Sequence, residues 1–169
     1  MPEPVEFKAG QYLEIALPEK NCPFSIASAP EVKDQVELHV RPTPESSDSV
    51  QIEALLDSAS ELTIEIPKGD CYIETAPDTP LYLIAASTGI TQMKSIIEHL
   101  LPSGLPHPVW LYWGVLSAED LYLADRCRQW ESRDPNFHFV PVVSDRQHRR
   151  TGPAGPVSSA KSRSTTSRI

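Results

Sequence analysis

Residues 11–75 are cut into short apolar runs, QYLEIAL, FSIAS, VELHV, LTIEI and CYIET, separated by proline and polar clusters. Val36, Leu38 and Val40, and again Leu62, Ile64 and Ile66, alternate with polar positions, the period of half-buried antiparallel strands. This pattern predicts a small antiparallel β domain over residues 1–77, a barrel or a sandwich. Between VELHV and LTIEI, a proline-rich loop leads into a short predicted helix from about Ser49 to Asp57, with Ser47 or Asp48 as its cap.

After Ala76–Pro80 the period changes and strands alternate with helices. Leu81–Ala86 reads as a continuous apolar strand, and Thr91–Leu101 as a helix with Met93, Ile96, Ile97 and Leu100 on one side. Pro108–Gly114 is a second strand, Ala118–Glu131 a second helix and Phe137–Val143 a third strand. That order implies right-handed crossovers and a parallel sheet over residues 78–145, with Phe137–Val143 left as an exposed edge. Trp110 and Tyr112 are expected in its core. From Arg146 onward the chain is rich in Ser, Arg, Thr, Gly and Pro and is expected to be disordered.

Charge sharpens this division. The net charge is −8, yet all 23 acidic residues lie at or before Asp145, while Arg146, Arg149, Arg150, Lys161, Arg163 and Arg168 follow it. So acidic a body repels nucleic acid, and the basic tail has neither aromatic residues nor regular spacing to make it a nucleic-acid or membrane arm. No run approaches the roughly 20 apolar residues of a membrane span, and MPEPVEFKAG lacks the basic start and apolar core of a signal peptide. A cytoplasmic protein is expected. Cys22, Cys71 and Cys127 are far apart and odd in number, which predicts reduced thiols and no metal site.

The candidate chemistry starts at LIAASTGITQMKSI, Leu83–Ile96, a strand that turns through Thr88 and Gly89 into a helix. The first N–H groups of a helix lack internal partners and attract phosphate, so the turn suits a nucleotide. It equally suits any strand-to-helix connection, because it has one glycine where the dinucleotide fingerprint has three.

Seven segments in order, FKAGQYLEIAL, CPFSIAS, VELHVR, IPKGD, LIAASTG, LYWGV and DLY, make the chain from about Val5 to Asp145 resemble the ferredoxin-NADP reductase superfamily. Within it, the likeness is closest to the NAD(P)H:flavin oxidoreductases and the reductase components of oxygenases. The resemblance implies a Greek-key β-barrel lacking its first strand, then an incomplete parallel α/β nucleotide-binding domain and a disordered tail. It implies hydride transfer from NADH or NADPH to riboflavin, FMN or FAD, with an oxygenase or an iron-sulfur protein as a further electron acceptor.

By the same resemblance, Pro23, Phe24 and Ser25 lie along the flavin. Phe24 offers a flat apolar face, and the Ser25 hydroxyl, the catalytic candidate, can hydrogen-bond near the N5 that accepts hydride. His39, Val40 and Arg41 fall on the strand that lines the ribityl chain, with Arg41 a candidate phosphate partner. Thr88 and Gly89 match the nucleotide turn, and Gly114 the loop that flanks the adenosine half. No side chain need act as acid or base.

The departures are equally specific. Cys22 stands where the family carries a flavin-phosphate arginine, and ESSDS, Glu45–Ser49, lacks the pyrophosphate-cradling signature of FAD-holding members. Both point to a weakly held flavin used as a substrate. Ala86 and Ser87 replace the turn's two leading glycines, and Leu116 replaces a nucleotide-side arginine. The family's first strand and the end of its nucleotide domain have no counterpart, and the compositional break predicts that residues from about Arg146 onward are not family sequence. The competing expectation is a catalytically inactive, truncated relative that binds flavin or a protein.

Overall fold

The alternation along the first part of the chain becomes strand geometry. β1 (Tyr12–Ala16) pairs antiparallel with β2 (Asn21–Ser25) on one side and β4 (Ile64–Lys68) on the other. The structure, a computed structural model, describes residues 5–43, 45–144 and the backbone of 165–168. In it β3 (Glu37–Val40) joins the other strands through a bridge between Ile26 and Leu38. Leu13, Ile15, Ile26 and Leu38 are fully buried, and Ile52 of α1 (Ser47–Ser58) packs with them. Each such side chain contributes about 1.5–3 kcal/mol by leaving water.

Two local expectations change. α1 starts earlier than predicted because Ser46 is the cap, its hydroxyl accepting from the Ser49 N–H at 3.4 Å. CYIET forms no strand; instead Ile73 donates its N–H to the Ala9 carbonyl and packs on the second core. Among the described residues, the first part is a three-stranded antiparallel sheet, β2-β1-β4, to which β3 is joined through the Ile26–Leu38 bridge.

The second part is a parallel sheet, β5-β6-β7, of β5 (Leu81–Ala86), β6 (Val109–Val115) and β7 (Phe137–Val143). α2 (Ile90–Leu100) and α3 (Ala124–Arg133) are its crossovers. α3 starts later than expected. Ser117 and Asp120 cap a short 3-10 turn at Ala118–Asp120, and Leu121, at ψ 53°, leaves helical geometry before the chain coils again.

Sequential strand order and one crossover hand put both helices on the same face. Leu83, Ala85, Leu111, Trp113 and Phe137 are buried there with Ile97 of α2 and Trp130 of α3. Trp110 and Tyr112 point to the other face and are only half-buried, so the expected core tryptophan is Trp113 instead. Tyr82 and Ile84 share that other face, exposed at 60% and 75%. Among the described residues no helix is long and apolar enough to cross a membrane.

The expectation of disorder after Asp145 falls mostly outside the described residues. The exception is β8 (Thr165–Arg168), whose backbone pairs antiparallel with β3, so these four residues form a strand and not a disordered segment.

Candidate functional site

β2 and β3 reach the cleft between the two cores at their carboxyl ends, and β5 meets it through the turn into α2. A cavity of about 410 Å³ opens there. Cys22, Pro23, Phe24 and Ser25 line it from β2, and His39, Val40 and Arg41 from β3 and its end. Thr43, Asp48 and Ser49 line it from the loop into α1 and that helix's first turn, Thr88 and Gly89 from the 3-10 turn Ser87–Gly89, and Thr91 from the first turn of α2. Eight of the nine residues expected at the site therefore meet in one cavity.

The ninth, Gly114, lines a second cavity of about 300 Å³ with Ala86, Ser87, Leu116, Asp120 and Ser144. It lies beyond the carboxyl ends of the parallel strands, where open α/β sheets bind ligands. Arg41 lines both cavities. Thr88 and Gly89, expected beside the nucleotide, open on the first cavity, so the start of α2 faces the space where the two cavities approach each other.

Two glycines leave room for a ligand. A Cβ on Gly89 would meet nothing within 4 Å, and one on Gly114 would touch only the Ala85 carbonyl oxygen, at 3.7 Å. Neither has a positive φ, so the fold itself does not require glycine at either position. A side chain would stand in the cavity mouths.

Ser87 accounts for one family departure. Its φ of 50° is left-handed, where glycine is ordinarily found. The Trp113 indole donates to its carbonyl at 2.9 Å, and Arg41 Nη1 donates to its hydroxyl at 3.0 Å. The serine hydroxyl gives Arg41 a partner that glycine could not. Arg41 Nη2 also reaches Asp120 Oδ1 at 3.4 Å, so the guanidinium is held from the parallel-sheet side of the cleft.

His39 is held more tightly. Nε2 donates to Glu37 Oε1 at 2.8 Å, and Nδ1 lies 2.8 Å from the Tyr122 hydroxyl, which donates to it in the neutral ring. Burial pushes the Tyr122 hydroxyl up to about 12, so it keeps its proton. His39 and then Lys94 hold the Glu37 carboxyl down at about 2, against the cost of burial. Tyr122, Ser87 and Glu37 were not singled out as site residues. The sequence signal for them is that His39 and Arg41 sit two apart on a strand whose intervening positions are apolar, so both face away from the core.

The oxidoreductase NAD-binding domain family matches residues 83–168. The match takes in the segment after Asp145 and corrects the expectation that it is foreign to the family. The NAD(P)H-flavin reductase of Vibrio harveyi is 34% identical over 165 residues, covering 94% of this chain and 70% of that protein. The chain spans about two thirds of the length of such curated relatives. The Amycolatopsis cytochrome P450 reductase GcoB superposes with a TM-score of 0.70 at 29% identity, over 86% of this chain and 46% of that one. A ferredoxin NADP+ reductase from Neisseria gonorrhoeae with bound FAD and NADP does so with a TM-score of 0.62 at 21% identity, over 87% and 65%.

Proposed function

Because the chain belongs to the ferredoxin-NADP reductase superfamily and groups with its NAD(P)H-flavin reductases, we propose that it moves hydride from NADH or NADPH to a flavin. The observation that carries this is the convergence of Pro23, Phe24, Ser25, His39, Val40, Arg41, Thr88 and Gly89 on one cavity, with the Gly114 cavity beside it. Hydride chemistry belongs to the nicotinamide and flavin rings; the chain's residues supply orientation. Phe24 presents an apolar face to the flavin ring system, and Ser25 a hydroxyl to its N5 side. The 3-10 turn Ser87–Gly89 brings Thr88 and Gly89 to the cavity where the nucleotide approaches. Gly114 leaves space for the adenosine half.

The flavin is a substrate here, not a held group. Cys22 has no fork for phosphate, and Asp48, on the cavity wall, is already paired with Lys20. Arg41, the remaining cation of the wall, is engaged by Ser87 and Asp120. This arrangement favours flavins that bring little charge. The likeness to a P450 reductase supports an oxygenase or iron-sulfur partner as a second outlet for electrons.

Mixing purified protein with NADH or NADPH and free riboflavin, FMN or FAD tests the reading. Saturable nucleotide consumption that requires flavin is the expected result. A folded, monodisperse sample that consumes none would favour the second reading, a non-catalytic binding module, which the face of the parallel sheet left open among the described residues supports.

A further inference from the structure

The segment Ser117–Tyr122 leaves the carboxyl end of β6 and reaches back across the cleft to the strand that carries the flavin-side residues. It touches that strand at two points: Tyr122 Oη is 2.8 Å from His39 Nδ1, and Asp120 Oδ1 is 3.4 Å from Arg41 Nη2. His39 and Arg41 are two residues apart and face the same way, while Leu38 and Val40 between and beside them are buried.

Both ends of this bridge are braced. On the segment's own side, the Ser117 N–H and hydroxyl both donate to Asp120 Oδ2, at 3.1 and 3.2 Å. The Tyr122 ring stands edge-on to buried Trp113, with centroids 5.4 Å apart. On the flavin side, Glu37 fixes the His39 ring, and its second oxygen accepts from Lys94 of α2 at 2.9 Å. The bridge is thus anchored to both cores.

The position of the bridge gives it a task. Leu116 and Asp120 line the second cavity, whereas His39 lines the first and Arg41 both. A segment that must be ordered when a ligand arrives takes that entropy out of the ligand's affinity, and one that is already docked does not. We propose that His39 and Arg41 are positioning residues: by docking Ser117–Tyr122 on β3 they set the affinity of the second cavity for a nicotinamide nucleotide. This rests on the assignment of that cavity to the nucleotide.

Tyr122→Phe removes one hydroxyl and leaves the ring against Trp113. In the full chain, calorimetric titration with NAD+ and NADP+ should show a nucleotide Kd raised about three- to tenfold, the worth of one hydrogen bond. The riboflavin Kd from fluorescence quenching should stay within about twofold, and hydrogen exchange at amides 117–122 should quicken. Arg41→Gln should act in the same direction. His39→Leu combined with Tyr122→Phe should raise the nucleotide Kd no further than His39→Leu alone, because the histidine variant has already lost the Tyr122 contact.

Equal shifts in both Kd values, or faster exchange with an unchanged nucleotide Kd, would overturn the proposal, as would unchanged exchange. If the nucleotide Kd shifts as stated but no flavin is reduced, the enzymatic reading falls and the docking role stands. If the unaltered protein binds no nucleotide, both fall.

Discussion

Ser25 ends β2 at the mouth of the larger cavity and is half-buried, so its hydroxyl can be removed without opening the core. Ser25→Ala should lower kcat for flavin reduction about three- to tenfold, the worth of one hydrogen bond, and leave the thermal midpoint in place. Steady-state rates beside a melt decide it. Glu37 makes a different prediction. Its carboxyl is held near 2 in the fold against an ordinary 4.5, chiefly by His39 and next by Lys94. A depressed carboxyl stabilises the fold fully above the unfolded value, and that contribution is lost as the pH falls through the folded one. The window therefore runs from 4.5 down to about 2. Glu37→Gln should cost about 1–2 kcal/mol at neutral pH, after allowance for solvent screening, and progressively less in acid. Urea midpoints of the two proteins at a series of pH values should converge. The site residues legible in the sequence, Pro23, Phe24, Ser25, His39 and Arg41, were read from segments that resemble the family, and of these only His39 and Arg41, two apart on one strand, share a side by strand period as well. Tyr122 was not legible as the partner of His39, because the two are 83 residues apart and no local pattern records which loop crosses to which strand.

The parallel sheet shows where period alone falls short. LYLIAA is apolar at every position and reads as a strand buried on both faces. In the fold only Leu83 and Ala85 are buried, and Ile84 is 75% exposed. The cause is topological: three sequential strands with crossovers of one hand place α2 and α3 together, and among the described residues nothing covers the other face. The register sets Tyr82 beside Trp110 beside His138, and Ile84 beside Tyr112 beside Val140, so that face carries rows of apolar and aromatic side chains. The boundaries of β5 and β7 were readable, whereas the choice between Trp110 and Trp113 as the core residue needed the crossover rule applied position by position. Two substitutions on the same sheet should separate the faces. Leu111→Ala, at a fully buried position, should cost about 2–5 kcal/mol, and Ile84→Lys should change stability by less than about 0.5 kcal/mol. Because a contiguous apolar face promotes association, Ile84→Lys should also reduce concentration-dependent self-association in sedimentation velocity. Similar losses of stability in the two variants would mean that the Ile84 face is covered.

The two cores are distinct clusters, one under the antiparallel strands and one under the parallel sheet, and polar contacts from α2 join them. Gln92 donates to the Gly10 carbonyl at 2.8 Å, and Ser95 to the Ser28 carbonyl at 2.8 Å. Lys94 reaches furthest, donating to the Ala27 carbonyl, to Glu37 and to Glu98 from a side chain only 8% exposed. Gly10 lies on the same seam. Its φ is 104°, and a Cβ there would come within 2.7 Å of the Cys71 carbonyl oxygen, so the chain can pass only as glycine. The order of the two parts was legible from the change of period after Ala76–Pro80, but the seam was not. A lysine at position 94 reads as the polar side of an amphipathic helix, and only the approach of β3 turns it inward. Since the larger cavity is lined from both sides of this seam, the seam fixes the site as well as the fold. Lys94→Met keeps the length of the side chain but leaves the Glu37 and Glu98 carboxylates without it, a loss of about 3–5 kcal/mol for a buried pair broken on one side. Calorimetry of the unaltered protein should show one cooperative transition, and the variant should show a lower midpoint and two separable transitions as the cores uncouple. A variant that still melts in one step at an unchanged midpoint would mean that the apolar contacts of Ala9 and Ile73 with the second core, and not the Lys94 cluster, hold the two parts in register.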